Sequence, residues 1–529
     1  MKYIIGENRE QMVLFASSLD DAISKDNEVR LIDAFVESLP LDQFGFKKDF
    51  IENGRPGYRP ADLLKLYMYG YLNKTRSSRD LEKECKRNIE VMWLMKRLTP
   101  DHNTISNFRR DNTEAIRKVF KSTVSIAKYF DLIGGKLIAG DGTKLRAQNS
   151  KKNNYNQKKI DRHLAYIDNK LAEYNAKLAQ EDGDKANIEK EIDKHKIRRK
   201  KYEDLQKQLN ETGELQISTT DPDSRQLITR NNITEVGYNV QSTADADNNI
   251  MIDYKTTNEN DSKAMGEMTV RASAIIGHTN FTCLYDKGYH TGSELKIAQE
   301  LGIHAIVAIP DLPSSSHAPD NNFNIDKFTY NKENHTYTCP QGHTLTTNGN
   351  WYNKNSGKYI TKIQQFKTPE CKNCPVKEKC TKSSRDRKRI IERSEYTPYI
   401  EQNKINVENN KELYRRRQAI IEHPFGIIKR QWGFSYILTK KGIKRAEADV
   451  GLMFVAFNMR RLINIIGFDR LISYLISVYY FFNPKSSIFS LFKLLKIINQ
   501  KLTQGIQQNF YPLKTLYFSP KIQVINNFC

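Results

Sequence analysis

Between residues 155 and 212 the apolar positions keep a helical period. Ile160, Leu164, Ile167, Leu171, Tyr174 and Leu178 alternate four and three apart, a heptad seam. Glu181-Asp182-Gly183-Asp184 interrupts it, and Ile188, Ile192, Tyr202, Leu205 and Leu209 carry a weaker second stripe. The pattern predicts an antiparallel helical hairpin tipped near Gly183. Residues 1 to about 135 also read as helices, with apolar groups at helical spacing from Ala61 to Leu72 after Pro60. Ser77 or Ser78 opens a helix holding Leu81, Cys85, Ile89, Met92, Trp93 and Met95. After the turn at Pro100-Asp101-His102-Asn103, Thr104 caps a short helix whose outer face offers Asn107, Arg109 and Arg110. Asn112 or Thr113 starts another, with Ile116, Phe120, Val124 and Ala127, and Gly134-Gly135 ends it.

From Lys136 the period falls to two. Leu137, Ile138 and Ala139 lead into Gly140-Asp141-Gly142-Thr143, after which Leu145 and Ala147 alternate with Lys144 and Arg146. This predicts a strand around an aspartate whose flanking glycines leave the carboxylate accessible. An Asp between glycines is also ordinary turn chemistry. Gly237–Gln241 and Asn249–Tyr254 read as strands joined by the turn Asp245-Ala246-Asp247-Asn248. Phe281–Leu284 and Ile303–Ile309 are short buried strands on either side of a helix, which opens with the capping-box pattern Thr291-Gly292-Ser293-Glu294. Strand, helix, strand is a βαβ unit with a parallel pair. Asp286 falls at the carboxyl end of its first strand, where such sheets bind ligands. The expected class is α/β mixed, with antiparallel strands first, parallel ones later, and an all-α amino-terminal region.

Residues 311 to about 395 interrupt this core with a loop through Pro313-Ser314-Ser315-Ser316 and then cysteines. Cys339, Cys371, Cys374 and Cys380 include a C-x2-C pair and suggest a structural, tetrahedral Zn2+ site, with His343 a reserve ligand; free thiols are the other reading. Leu413–Arg430 is a helical stretch, kinked or irregular around Pro424 and Gly426. Arg415, Glu422 and Lys429 stand seven apart, two turns of a regular helix, and share a face if the helix survives the proline. A carboxylate flanked by cations, with Arg417 nearby, suits a site that holds a metal and guides a phosphate backbone. Ordinary surface ion pairing is the plainer reading.

Composition narrows the partner. At 529 residues the chain is too long for one core, and 84 Lys and Arg against 62 Asp and Glu give a formal charge of +22. A large polyanion is the economical partner, and nucleic acid the commonest. The amino-terminal helices then fit either a helix-turn-helix docking on DNA or an ordinary bundle with a basic face. Arg198-Arg199-Lys200-Lys201, on the hairpin's return arm, fits either a solvated face or a DNA contact. No signal-peptide pattern stands at Met1, and the longest apolar run, Leu471–Phe482, falls short of the roughly 20 residues a bilayer takes. Seven unevenly placed cysteines do not make a disulfide framework. A cytoplasmic protein is expected.

Together the pieces resemble the DDE-type insertion-sequence transposases, in the group with an amino-terminal helical domain and a cysteine-bearing insertion before the glutamate. Asp101–Arg109, Gly140–Thr143, Thr220-Asp221-Pro222-Asp223, Gly237–Gln241, Asp286–Tyr289 and Glu422–Gly426 with Lys429 carry the resemblance, across roughly residues 15 to 462. It implies a helical DNA-binding domain (1–135) and a ribonuclease-H-like core (136–461). The core would hold a helical-hairpin insertion (155–212) and a small cysteine-rich one (311–395), and a hydrophobic tail (462–529) of unassigned role follows. It implies Asp141, Asp286 and Glu422 as the catalytic triad, with Lys429 positioning a phosphate or the Glu422 helix. Three clustered carboxylates imply two Mg2+ (or Mn2+) ions. The implied partners are double-stranded DNA, as element ends and as target, and a second copy of the chain, because joining two ends takes two active sites. No small-molecule substrate and no membrane are implied. The expected reaction is cleavage at the element's ends and strand transfer; a repressor derived from a transposase and a nuclease that stops at hydrolysis are the rival readings. There is one departure. The related signature puts tyrosine seven and arginine four residues before the glutamate, places held here by Arg415 and Gln418. Tyr414 and Arg417 come one residue early, about 100° round a regular helix.

Overall fold

The computed structural model describes residues 18–47, 56–180, 185–228, 233–312, 317–356, 359–382 and 388–483. The described helices begin with α1 (Glu28–Glu37), α2 (Leu41–Phe44), α3 (Pro60–Leu72), α4 (Ser78–Arg87), α5 (Ile89–Leu94), α6 (His102–Asp111) and α7 (Thr113–Tyr129). Next come β1 (Leu137–Arg146), β2 (Asn154–Tyr155), α8 (Gln157–Gln180), α9 (Lys185–Thr212), β3 (Ile217–Ser218), β4 (Arg225–Ile228), β5 (Thr234–Asp245) and β6 (Met251–Thr257). They are followed by α10 (Met265–Ile276), β7 (Thr282–Tyr285), α11 (Gly292–Glu300) and β8 (His304–Val307). Short strands β9 (Thr329–Asn331), β10 (Thr336–Thr338), β11 (Thr344–Leu345), β12 (Tyr352–Ser356) and β13 (Tyr359–Phe366) come before α12 (Lys377–Cys380) and β14 (Ile391–Ser394). The last helices are α13 (Thr397–Asn409), α14 (Lys411–Arg417), α15 (His423–Gly426), α16 (Ile443–Ile466) and α17 (Phe468–Phe482). This is a mixed α/β chain led by helices. It forms two compact units, one of Met1–Gly134, Gly142–Glu259 and Glu422–Cys529, the other of Gly135–Asp141 and Asn260–Ile421. The chain therefore passes from one unit to the other directly after Asp141 and directly before Glu422.

The first unit is built on α16, which is apolar on nearly every face from Ala448 to Met459 and buried along that length. It packs against α3, α7 and β6. Asn458 on this helix fixes β6, accepting from Met251 N at 3.0 Å and donating to Met251 O at 2.9 Å. The Thr220–Asp223 motif secures the start of α16. Asp221 accepts the Tyr238 hydroxyl at 2.7 Å and Gly442 N at 2.9 Å, while Asp223 accepts Ile443 N at 2.8 Å, so otherwise orphaned helix-end donors are satisfied. Strands β4 and β6 both pair antiparallel with β5, as the alternation predicts.

Two amino-terminal details differ from the sequence reading. Asp101, not Thr104, caps α6, accepting Asn103 N at 2.9 Å and Thr104 N at 3.1 Å. The stretch after Ser77 is two helices, because Asn88 turns extended and caps α5 through Glu90 N at 3.0 Å. The hairpin has its own core of Tyr155, Ile160, Ile167, Tyr202, Leu205, Leu209 and Ile217, with Leu164 and Leu171 against it. Arg199 on α9 meets Asp168 on α8 at 2.8 Å, and Tyr174 lies by His195, an antiparallel register. The expected tip at Glu181–Asp184 lies outside the described residues. From the tail segment, α17 buries Leu471 and Leu475 and stacks Tyr474 on Tyr129 at 4.3 Å; residues past Asn483 are outside the description.

In the second unit, the start of β1 pairs parallel with β7, and β7 parallel with β8. The βαβ unit stands as patterned, but its capping box does not. Thr291 makes no side-chain cap, and Glu294 turns instead to Gly266 N at 2.9 Å, at the start of α10. Residues 311–395, expected as a loop with cysteines, hold two three-stranded antiparallel sheets, β11-β10-β9 and β12-β13-β14. Phe328, Tyr337, Leu345, Phe366 and Ile391 form a separate small core there. Pro313–Ser316 lies outside the described residues. Among the described residues no single helix is long and apolar enough to cross a membrane.

Candidate active site

The parallel register sets two aspartates side by side in the second unit. Ala139 pairs with Leu284, and two residues further on stand Asp141, still within β1, and Asp286, the residue after β7 ends. Asp286 accepts Gly288 N at 2.8 Å and so opens a tight 3-10 turn at Lys287–Tyr289. Gly140 serves packing rather than access, since a Cβ there would overlap the Tyr285 ring. Tyr289 is buried within reach of their charges. Burial first, then the charges of Asp261, Asp141 and Asp286, push its hydroxyl well above the usual phenol range. Sequence reasoning missed Asp261. Its carboxylate stands near Asp286 beside Gly288, each within 4 Å of where a Cβ on that glycine would sit. The available signal was an acid just past a strand, in Asn260-Asp261-Ser262, a place equally natural for a helix cap.

The run Tyr414-Arg415-Arg416-Arg417 presents its cations unequally. Arg415 and Arg416 are exposed, whereas the Arg417 side chain is 9% exposed and its Nη1 lies 3.3 Å from Asp141 Oδ2. Arg417, expected as a DNA contact, is thus turned inward against an acid. Tyr414 hydrogen-bonds Arg417; burial raises its phenol, Arg417 opposes this, and Asp286 and Asp141 add to it. After α14 the chain does not continue as a regular helix. Gln418–Glu422 and Ile427–Gln431 are π-helical turns on either side of α15. The irregularity expected around Pro424 and Gly426 therefore begins earlier, at Gln418.

In the first unit Glu422 is half-buried at the end of the first π turn. Lys429 donates to Thr143 Oγ1 and to Lys144 O, both at 3.1 Å, on the part of β1 that directly follows Asp141 in the chain. On α6, Asn107 is exposed and Arg110 pairs with the neighbouring Asp111 at 2.5 Å. Arg109 does not lie on an outer face. It is buried, donating to the Tyr71 hydroxyl at 3.0 Å and Arg76 O at 3.1 Å, 3.6 Å from Asp449. The last turn of α6 rotates it onto the core.

Cys339, Cys371, Cys374 and Cys380 are free, half-buried thiols that line one cavity of about 30 Å3 with His343. Burial raises the Cys380 thiol; Arg389 opposes this, and the other three sulfurs add to it. Among the described residues no three His, Cys, Asp or Glu side chains stand together at the spacing of a bound ion. In donor chemistry, the aspartate pair offers hard oxygens suited to Mg2+, and the thiols offer soft sulfurs suited to Zn2+.

Residues 338–463 match the family described as transposase DDE domain, and residues 17–111 the one described as transposase domain (DUF772). The DDE match implies a ribonuclease-H-like core, and with it DNA transposase chemistry. Both matched families are thus described as transposase domains, one toward the amino-terminal end and the other later in the chain. No curated protein matches it.

Proposed function

We propose that the chain is an insertion-sequence transposase that cuts DNA at the ends of its element and joins the freed ends to target DNA, with Asp141, Asp286 and Glu422 as its acids and Lys429 as their support. The observation that carries this reading is the pair Asp141 and Asp286, at matching places just past the parallel pairing of β1 with β7, whose charges both act on the buried Tyr289 phenol. Carboxylates so placed repel each other and a DNA phosphate until cations balance them. Two Mg2+ (or Mn2+) ions, when bound, supply that balance and activate the attacking oxygen. The acids orient the scissile phosphate. Lys429 holds β1 through Thr143 and Lys144, and so fixes the strand that carries Asp141. Water attacks phosphorus at the element's end, the P–O3′ bond breaks, and the 3′ oxygen leaves as a hydroxyl. That hydroxyl then attacks a target phosphorus, and as the new P–O bond forms the target's own P–O3′ bond breaks, its 3′ oxygen leaving with the proton the attacking hydroxyl gives up. No covalent protein–DNA intermediate is needed.

Asn107, Arg110 and Arg415 contact phosphates in this reading, and the formal charge of +22 supports a DNA partner. Two copies act together, since two ends are joined. The four cysteines hold structural Zn2+; their donor chemistry and shared cavity support this, and their spacing does not. The test is cleavage of labelled DNA carrying the element's ends, in Mg2+ or EDTA. Wild-type protein should nick and join in Mg2+ alone, while Asp141→Ala and Asp286→Asn bind the DNA and leave it intact. Nicking without joining would favour a nuclease; tight binding without cleavage would favour a repressor.

A further inference from the structure

We propose that Arg389 is a positioning residue for the four-cysteine centre, its guanidinium balancing the thiolate charge and donating to sulfur when Zn2+ is bound. The inference rests on the reading of Cys339, Cys371, Cys374 and Cys380 as zinc ligands, and adds a cation which that reading does not use. Three observations carry it. Arg389 lines the same cavity of about 30 Å3 as the four cysteines and His343. Its Nε is buried and has no hydrogen-bond partner among the described residues. Its guanidinium carbon lies 5.9 Å from the centre of the Phe328 ring, which also lines the cavity and belongs to the module's small core.

The local fold fixes both sides of this cavity. Cys339 directly follows β10 and starts a tight turn, its carbonyl accepting Gly342 N at 2.8 Å while its N–H donates to His343 O at 2.9 Å. Cys380 ends α12, and Arg389 stands two residues before β14, whose Ile391 is in the same core as Phe328. A buried N–H without an acceptor costs free energy, so native proteins keep few of them. Of the side chains around this one, the cysteines are those that become anionic, because zinc binds thiolates and four of them outweigh its charge. Such a centre is costly to bury unless cations and hydrogen bonds offset it. Arginine suits the task, being always charged, weakly hydrated and equipped with a planar fork of donors. The Phe328 face attracts the guanidinium without using up those donors. The Arg389 charge already acts on the Cys380 thiol, against the effect of burial.

The experiment is transfer of Zn2+ from the full chain to a competing chelator, with Co2+ substitution read in the visible, where tetrahedral thiolate sites absorb. Neither readout involves DNA. Arg389→Met keeps the apolar stem and removes the charge and the donors. It should weaken Zn2+ binding by roughly 10–100-fold, as for other outer partners of metal ligands, with the amide protection of β5 unchanged. Arg389→Lys, which keeps the charge, should recover most of the loss. Lys379→Ala, which removes an exposed cation next to Cys380, should behave as wild type. Wild-type protein that holds zinc no more tightly than Arg389→Met overturns the inference and leaves the zinc reading intact. Equal losses in the Met and Lys variants overturn the charge role and make Arg389 a packing residue. Wild-type protein that takes up neither metal through thiolates ends the zinc reading, and the inference with it.

Discussion

An acid, rather than solvent, holds each of two arginines in this chain. Arg109 and Arg417 sit in basic runs that read as DNA-facing, yet each is withdrawn against an acid, Asp449 or Asp141. A sequence shows charge but not which way a helix turns its last residue. Asp449 is fully buried and collects the Tyr71 hydroxyl, Leu438 N at 2.6 Å and the guanidinium groups of Arg76 and Arg109. Removing either partner strands a buried charge. Asp449→Ala and Arg109→Ala should therefore each cost about 3–5 kcal/mol in urea unfolding. Asn107→Ala, on the exposed face, should leave the midpoint unchanged and weaken DNA binding. Lys65 gives the pH counterpart: at 0% exposure its ammonium meets Asp33 at 2.6 Å and Glu37 at 2.5 Å. Burial pulls the Glu37 carboxyl upward, but the Lys65 hydrogen bond and charge outweigh it and hold the group below its ordinary 4.5. A lowered acid stabilises the fold above that value and loses the contribution as pH falls through the folded pKa. Wild-type stability should thus fall more steeply below about pH 4.5 than that of Lys65→Met, read by thermal melts across the acid range.

Elements with a sustained period were legible; those set by a single tertiary partner were not. The heptad seam located the hairpin, and the two short apolar runs around a helix located the parallel β7–β8 pair, because burial on one face repeats along a sequence. Strands β9 to β12 and β14 run only two to five residues, and β13 exposes the adjacent Tyr359 and Ile360, so alternation does not show and a structured module read as a loop. The capping box at Thr291 failed because Glu294 found a better partner in Gly266 N, on another helix. Asp141 was legible as an acid within a strand, Asp286 as one just past a strand, and Glu422 as one on a basic helical stretch. The π turn was visible only as a one-residue misfit, since hydrogen-bond register leaves no compositional trace. The cysteine module yields the element-scale prediction. Its core has five buried residues, too few to be secure without a staple. Purified protein should carry about one Zn2+ per chain by elemental analysis. Cys374→Ser should lower that ratio and expose β13 and β14 amides to hydrogen exchange, with β5 unchanged. A full-length protein free of zinc would leave these thiols as core packing alone.

Across the whole molecule the surplus of positive charge is spread among surfaces of different kinds, and salt dependence can sort them. A cation that touches DNA phosphate releases about one counterion on binding, so each contributes close to 0.9 to the slope of log affinity against log salt. A cation already paired inside the protein releases none. Arg415, exposed on α14, belongs to the first group by position, and Arg417, paired with Asp141, to the second. Arg415→Ala should therefore weaken binding to all DNA sequences alike and reduce the salt slope by about 1. Arg417→Ala should leave the slope unchanged, whatever it does to cleavage. The measurement is DNA affinity between 50 and 200 mM salt, with the metal withheld so that binding is read apart from chemistry. A slope that drops in the Arg417 variant would mean that its guanidinium leaves Asp141 for the phosphate backbone when DNA arrives. The aspartate pair would then lose its fixed cation at the moment the substrate brings more negative charge, and divalent ions would have to supply all the compensation.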